Sequence, residues 1–281
     1  MQALGIDVGV GKGLDLVVLD EGLRPMRVMS RVTIDRLGPL LDEVAVDVLA
    51  IDAPPAWAPH GRSRLTERLL AEMNLHAFNT PSAEHAGSNR FYAWMEAGFE
   101  VFAVAAARGY DRYRAGDPRH TAMEVFPHAS AAVLAGCLPP KGAAKKTWRR
   151  RVLRAHGVAT DQLTTQDRID AALCALTGLL ALSGKRFAPG DPKEGVIVLP
   201  AVALPARPYR AAPAEARAET TVPLFRACAC GDPTCYELTR GEFAPGHDAK
   251  RKSMLWTAAR NGQESIEELR ERGWMLPPEV R

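Results

Sequence analysis

The 281-residue sequence has few cysteines, no long apolar segment and little net charge. Five cysteines are too few for a disulfide-stapled scaffold of this length. No apolar run approaches the roughly 20 residues that a membrane helix needs, and no basic segment followed by an apolar one stands at the N-terminus. These absences predict a cytoplasmic protein without a membrane partner. A net charge of +3 favours no class of partner by itself.

Two common catalytic signatures are also missing from the sequence. We find no nucleophile elbow of a serine or cysteine hydrolase, and no phosphate-binding P-loop. The glycine-rich stretch "GVGKG" at residues 9–13 lacks the P-loop spacing and the hydroxyl residue after its lysine. It is more typical of a tight turn between two strands, so it predicts a hairpin.

Apolar periodicity predicts a mixed α/β sheet with helices on both faces. Strands are expected at residues 3–10, 14–20, 27–32, 46–52, 121–126 and 195–200. Helices are expected at residues 34–45, 62–73, 89–108, 145–156 and 165–183, with a short one from His128. Strands that come first and then alternate with helices favour one large domain rather than a repeat.

A change of composition divides the chain. From Pro200 to about Pro223 the sequence is rich in Pro, Ala and Arg, which is typical of a semi-extended linker. We therefore predict a domain over residues 1–204, a linker over 205–222 and a small Cys/His module over 223–281. Amphipathic helices are expected in that module near residues 249–260 and 263–272.

Three acids lie in or at the ends of predicted strands: Asp7, Asp52 and Glu124. A lone carboxylate among buried apolar residues costs several kcal/mol unless it is paired, protonated or bound to a metal. Each has a structural alternative. Asp7 could accept hydrogen bonds from the neighbouring turn, Asp52 could cap a turn, and Glu124 could pair with an arginine. The metal interpretation explains all three together.

A fourth acid comes from the long helix predicted at residues 165–183. Asp167 and Asp170 are three residues apart and share a helix face. Thr164 offers Asp167 a capping role, so we favour Asp170 as the metal ligand, with Asp167 as an alternative or supporting group. Such carboxylates suit Mg²⁺ or Mn²⁺, and two such ions could orient water for in-line attack on a phosphodiester.

Basic residues near these acids are candidates for phosphate binding. The stretch "KGAAKKTWRRRVLR" contains Lys145, Lys146 and Arg149 and carries no acid. Arg62 and Arg64 follow the strand that ends at Asp52 and could also bind phosphate. The alternatives are a solvated helix face for the first group and ion pairs with nearby glutamates for the second.

The C-terminal segment spaces Cys228, Cys230, Cys235 and His247 as C-x-C-x4-C-x11-H. Three thiolates and an imidazole predict a structural, tetrahedral Zn²⁺ site in a segment too short to fold easily without one. Alternatively, the cysteines are reduced and His247 caps the helix that follows.

Several ordered motifs resemble one known family. They are "GIDVG", "LAIDAPPAW", "AMEVFPHAS", "DRIDAALCALTGLLAL" and "EGVIVLP". Over about residues 3–200 the sequence is similar to domain-of-unknown-function family 429, described as predicted RNase H-like nucleases. The resemblance implies an RNase H-like fold with Asp7, Asp52 and Asp170 as the catalytic acids, and it places Glu124 at the strand glutamate of the family.

The sequence thus favours a metal-dependent nuclease with nucleic acid as its partner. One alternative is a non-catalytic nucleic-acid-binding or interaction protein on the same fold. Another is an actin-like phosphotransferase, but such enzymes normally repeat the core and carry a later glycine-rich adenosine site. A single core of about 200 residues argues against that alternative.

Overall fold

The structure is a computed structural model that describes residues 1–212, 226–227, 238–239, 247–260 and 269. The chain divides into two compact units, Met1–Val222 and Pro223–Arg281. Within the described ranges, no helix has the length and apolar character that a membrane crossing requires.

The first unit is built on a seven-stranded sheet in the order β3-β2-β1-β4-β6-β5, with β7 also pairing with β6. The strands are β1 (Gln2–Gly9), β2 (Gly13–Asp20), β3 (Pro25–Val32), β4 (Val48–Asp52), β5 (Asp111–Arg112), β6 (Thr121–Val125) and β7 (Ile197–Val198). Strands β1, β2 and β3 are antiparallel, whereas β4 runs parallel to β1 and β6 runs parallel to β4. This confirms the predicted mixed α/β sheet.

Helices cover the two faces of the sheet. They are α1 (Ile34–Glu43), α2 (Leu65–Glu72), α3 (Ala83–Ala86), α4 (Ala93–Ala106), α5 (Pro127–Ala135), α6 (Lys145–Ala155) and α7 (Gln166–Leu182), with a 3₁₀ turn at Arg90–Tyr92. Alternate residues of β1, such as Leu4 and Ile6, join the core that contains residues of α1 and α4. The other face of β1, β2 and β4 packs against α7.

Gly5 determines how closely α7 lies on the sheet. A Cβ atom built at this position would stand 1.8 Å from the carbonyl oxygen of Ala171 and 2.5 Å from the amide nitrogen of Ala175. Both neighbours are backbone atoms of α7, so no side-chain rearrangement could make room. Residue 7 lies two positions further on the same face of β1, and Asp170 directly precedes Ala171. The glycine therefore brings the strand acid and the helix acid together.

Most predicted elements are present, with different ends. The hairpin predicted at "GVGKG" is confirmed, because β1 ends at Gly9 and β2 begins at Gly13. The two-residue strand β5 and the four-residue helix α3 are not predicted, since segments this short carry no measurable periodicity. The helix predicted at 263–272 lies outside the described residues apart from residue 269.

Part of the predicted linker lies on the first unit. Tyr209 is buried, and its amide donates a hydrogen bond to the carbonyl of Met73 at 3.2 Å. Leu138 and Ala211 form an isolated parallel bridge. Residues 213–222 lie outside the described ranges, and the predicted domain limits stay a prediction.

The second unit contributes a two-stranded antiparallel pair and one long helix. These are β8 (Arg226–Ala227), β9 (Leu238–Thr239) and α8 (His247–Arg260). His247 is the first residue of α8, whereas Cys228, Cys230 and Cys235 lie outside the described residues. The zinc site therefore remains a prediction.

Candidate active site and adjoining cleft

The sheet brings two of the predicted acids side by side. Asp7 on β1 and Asp52 at the end of β4 are register partners in a parallel pair, so their side chains leave the same face of the sheet. That face packs against α7, which carries the buried Asp170. Asp7, Asp52 and Asp170 are thus gathered at one place, as the sequence predicts.

Crowding of these carboxylates changes their protonation. Removal from water and, after it, the charges of Asp170, Asp167 and Asp15 together raise the pKa of Asp7 from 3.8 to about 8. Burial also raises the pKa of Asp52 well above its usual range, and the charge of Asp7 adds to the effect. A hydrogen bond from Asp52 favours the ionised form of Asp7. Both carboxyl groups therefore hold a proton more tightly than a free aspartate does.

Asp170 is held by two neighbours. Its Oδ1 accepts a hydrogen bond from Arg149 Nη1 at 2.5 Å, and its Oδ2 accepts one from Gln166 Nε2 at 2.8 Å. Burial raises the pKa of Asp170, while the guanidinium of Arg149 opposes that shift. Arg149 lies on the basic helix α6, so this ion pair joins α6 to the acids. The sequence marks Arg149 as a candidate phosphate ligand or as part of a solvated helix face, and no local pattern indicates its contact with Asp170.

Asp167 lies nearer the surface than Asp170. Its carboxylate is 3.5 Å from Lys12 Nζ in the β1–β2 turn. The predicted capping role of Thr164 is wrong, because the N-cap of α7 is Thr165, whose hydroxyl accepts a hydrogen bond from the amide of Arg168. Asp170 is thus the more buried of the two helix acids, and the choice between them as the metal ligand stays a prediction.

A fifth acid, Asp15, is not among the sequence candidates. It is directly opposite Asp7 in the antiparallel β1–β2 pair and is 7% exposed. The Ser30 hydroxyl donates a very short hydrogen bond to it, and Arg168 Nε lies 4.0 Å away. The available signal is its position between Leu14 and Leu16 in an apolar strand, the same pattern that marks Asp7.

Glu124 lies beside the acids but forms a different cluster. Its two carboxylate oxygens each accept a hydrogen bond from Arg64 at 2.6 Å. Arg64 also donates to Glu67, at 2.9 Å from Nε and 2.8 Å from Nη2. All three side chains are buried, and desolvation raises the pKa of Glu124 despite the opposing charge of Arg64. The observed contacts of Glu124 are therefore those of the alternative in which it pairs with an arginine.

The same cluster corrects the expectation for Arg64. Its side chain is 1% exposed and its guanidinium is occupied by two carboxylates, so it has no free face for a phosphate. Arg62, two residues earlier, is exposed. Of these two arginines only Arg62 stays a candidate for substrate contact.

The acids have the donor chemistry of a site for a hard divalent cation. Carboxylate oxygens are the preferred ligands of Mg²⁺ and Mn²⁺, and a cation would offset both the burial and the repulsion that raise the pKa of Asp7 and Asp52. Within the described residues, however, no three His, Cys, Asp or Glu side chains converge closely enough to hold an ion as they stand. Asp7 and Asp52 are the pair that could bind an ion. Asp170 could join them only after giving up its hydrogen bond with Arg149 or Gln166.

A cleft of about 730 Å³ adjoins Asp52. Its lining combines the end of β4, aromatic side chains of residues 78–94 and two cations of α6, Lys145 and Arg149. Lys146 is exposed and does not line the cleft, while Trp148 is buried on the same helix. One face of the basic helix thus packs into the core, and the remaining residues face outward or lie at the edge.

Comparisons with known proteins match one family model and solved structures. The model of the family described as "Protein of unknown function (DUF429)" matches residues 5–194. No curated protein matches the sequence. A solved structure titled "Thermus thermophilus RuvC structure" is 16% identical, with a TM-score of 0.38, over 71% of this chain and 100% of that one. The family match spans the acids described above and the basic helix.

Proposed function

The chain belongs to the DUF429 family, whose description names no reaction, and from the geometry of its site we propose that it is a metal-dependent nuclease. The proposal is the hydrolysis of phosphodiester bonds in nucleic acid with Mg²⁺ or Mn²⁺. The observation that carries it is the pair of Asp7 and Asp52, two carboxyl groups in register whose pKa values are raised by burial and mutual repulsion. Carboxyl groups that are buried close together and have raised pKa values are typical of functional sites.

Each residue of the site has a role in this proposal. Asp7 and Asp52 would hold the ion, and Asp170 would join them after exchanging one of its hydrogen bonds. A bound divalent ion, or a pair of them, supplies activation of water and stabilisation of the departing oxygen. Arg149 and Lys145 line the cleft beside Asp52 and can bind the phosphates of the strand. Lys146 and Arg62 are exposed candidates for contacts further along that strand.

A second candidate function is nucleic-acid binding without catalysis. The observation that favours it is the occupation of both Asp170 oxygens by Arg149 and Gln166. In that arrangement Arg149 already supplies a positive charge to Asp170, and among the described residues no third acid stands close enough to Asp7 and Asp52 to complete an ion site. This alternative predicts tight, salt-sensitive binding with no turnover.

A cleavage panel separates the two candidates. Single- and double-stranded DNA, RNA, RNA–DNA hybrid and branched DNA are incubated with the protein in Mg²⁺ and, separately, in Mn²⁺. We expect cleavage of at least one substrate by the wild type and loss of that cleavage in EDTA and in Asp52→Asn. The matched control is Asp42→Asn, because Asp42 pairs with Arg108 on the exposed side of α1.

Two outcomes would contradict the nuclease proposal. One is a wild-type protein that leaves every substrate intact while binding it. The other is an Asp52→Asn protein that is folded and cuts as well as the wild type, which would attribute the cleavage to another site or to a contaminant.

Metal binding should depend strongly on pH. The pKa of Asp7 is raised from 3.8 to about 8, so below about pH 8 a proton competes with the ion for this pair. We therefore expect Mg²⁺ to raise the melting temperature more at pH 8.5 than at pH 6. Thermal unfolding in Mg²⁺ and in EDTA at matched ionic strength measures this difference. Equal effects at both pH values would argue against an ion at Asp7 and Asp52.

A further inference from the structure

Aromatic side chains form a continuous surface along the cleft. Phe78 packs edge-to-face against Phe91 and Trp94, with ring centroids 5.6 and 5.9 Å apart. Phe91 continues to Tyr92 at 5.2 Å, and Tyr92 to Trp57 at 6.0 Å. Phe78, Phe91 and Trp94 line the cleft itself, and we call these three residues the aromatic wall.

Two members of the aromatic wall are unusually exposed. Phe78 is 64% exposed and Phe91 is 52% exposed, whereas Trp94 packs against the hydrophobic core. The other large apolar side chains found exposed in the described ranges are aliphatic: Val10, Met26, Val202 and Met254. An exposed aromatic pair fixed by a partly buried tryptophan offers ring faces to a ligand, so its exposure needs a functional explanation.

The charges around the aromatic wall indicate what kind of ligand fits. The same cleft is lined by Lys145 and Arg149, and it reaches Asp52 at the end of β4. A ligand that combines a flat ring with a phosphate could use both features at once. Nucleotides have this combination, and aromatic side chains beside a basic surface are the usual arrangement for single-stranded nucleic acid.

We propose that the aromatic wall stacks an unpaired nucleobase of the strand that the protein binds. This inference rests on the proposed function, because it identifies the substrate class of the same site: nucleic acid that is single-stranded or locally unpaired next to the acids. A base inside a duplex is covered by its neighbours and cannot present its face to Phe78 or Phe91. Stacking requires no particular base, so the preference is for unpaired structure rather than for sequence.

The test measures binding without turnover. A fluorescently labelled single-stranded 12-mer and a blunt duplex of the same sequence are titrated in EDTA with wild type, Phe78→Ala and Phe91→Ala. Both side chains are more than half exposed, so the variants should fold. We expect each variant to bind the single strand roughly tenfold to a hundredfold more weakly. Duplex binding should change less than threefold.

Two controls identify stacking as the cause. Phe78→Leu keeps an apolar side chain without a ring, so it should bind nearly as weakly as Phe78→Ala, whereas Phe78→Tyr should restore binding. Met26→Ala removes an exposed apolar side chain that does not line the cleft and should leave both affinities unchanged.

Three results would overturn the inference. Unchanged single-strand affinity in both variants would do so, as would equal losses for single strand and duplex. Mononucleotide binding as tight as that of the 12-mer would indicate a small-molecule site instead. The outcome is separable from that of the nuclease proposal. Binding that depends on Phe78 without any cleavage rejects catalysis alone, and duplex cleavage that is insensitive to Phe78→Ala rejects the aromatic wall alone.

Discussion

Replacing Asp7 by asparagine should abolish metal-dependent cleavage while stabilising the metal-free protein. The amide is nearly isosteric, but it removes one charge from the pair that would hold the ion. We expect the cleavage rate to fall by about 10³-fold, because the activation of water and the stabilisation of the leaving oxygen depend on that ion. Cleavage in saturating Mg²⁺, measured on the best substrate of the panel, checks this loss.

The stabilising effect of Asp7→Asn follows from the raised pKa of Asp7. In the folded protein the group prefers its protonated form up to about pH 8, whereas in the unfolded chain it ionises near 3.8. The stability that the protonated group contributes to the folded protein is fully present below pH 3.8. It is lost as the pH rises from there through about 8. Asparagine does not ionise, so the variant should be more stable in EDTA by roughly 1–3 kcal/mol at pH 8.5 and by less at pH 5.

Urea unfolding of wild type and Asp7→Asn at the two pH values measures this difference. Asp42→Asn serves as the control, since Asp42 is exposed and lies apart from the acids. A variant that is less stable than wild type at pH 8.5 in EDTA would mean that the ionised Asp7 makes favourable contacts in the folded protein. That result would contradict the raised pKa of Asp7.

Replacing Arg64 by methionine should cause the largest loss of stability. Arg64 is the shared partner of Glu67 and Glu124, and all three side chains are buried. Removal of the cation leaves both carboxylates without their guanidinium, and such a change typically costs about 3–5 kcal/mol. Glu67 retains the amides of Arg64 and Thr80 as donors, so Glu124 should be the more destabilised of the two.

The test compares free energies of unfolding at pH 7. Arg62→Met is the matched control, because that arginine is exposed and should matter by less than about 0.5 kcal/mol. Adding Glu124→Gln to Arg64→Met should recover part of the loss, since a neutral amide is cheaper to bury than an unpaired carboxylate. A loss below about 1 kcal/mol in Arg64→Met would show that water or another cation reaches the two glutamates.

The sequence predicts the sheet and its central acids because both depend on local patterns. β1, β2 and β4 are apolar runs that end in turns, and Asp7 and Asp52 stand out because they interrupt or terminate such runs. Parallel pairing then places their side chains together. Asp170 is a candidate for a similar reason, because it is the last acid before the apolar stretch of its helix.

Other features depend on contacts between distant segments and leave no local pattern. Arg149 and Asp170 belong to different helices, and nothing in the basic run marks Arg149 as the member that pairs with an acid. The pairing of Arg64 with Glu124 joins residues 60 positions apart. The aromatic wall draws its rings from residues 78, 91 and 94, whose alignment appears only once the intervening turns are folded.

The contact at Gly5 fixes the distance between β1 and α7 and therefore the width of the site. The backbone of α7 rests on the backbone of β1 there, and backbone atoms have no rotamers to exchange. The gap between the strand acids and the helix acid cannot widen by sliding the helix without opening the sheet–helix interface. Any adaptation to a larger ion or a different leaving group must therefore come from side chains, with Arg149 the first to move.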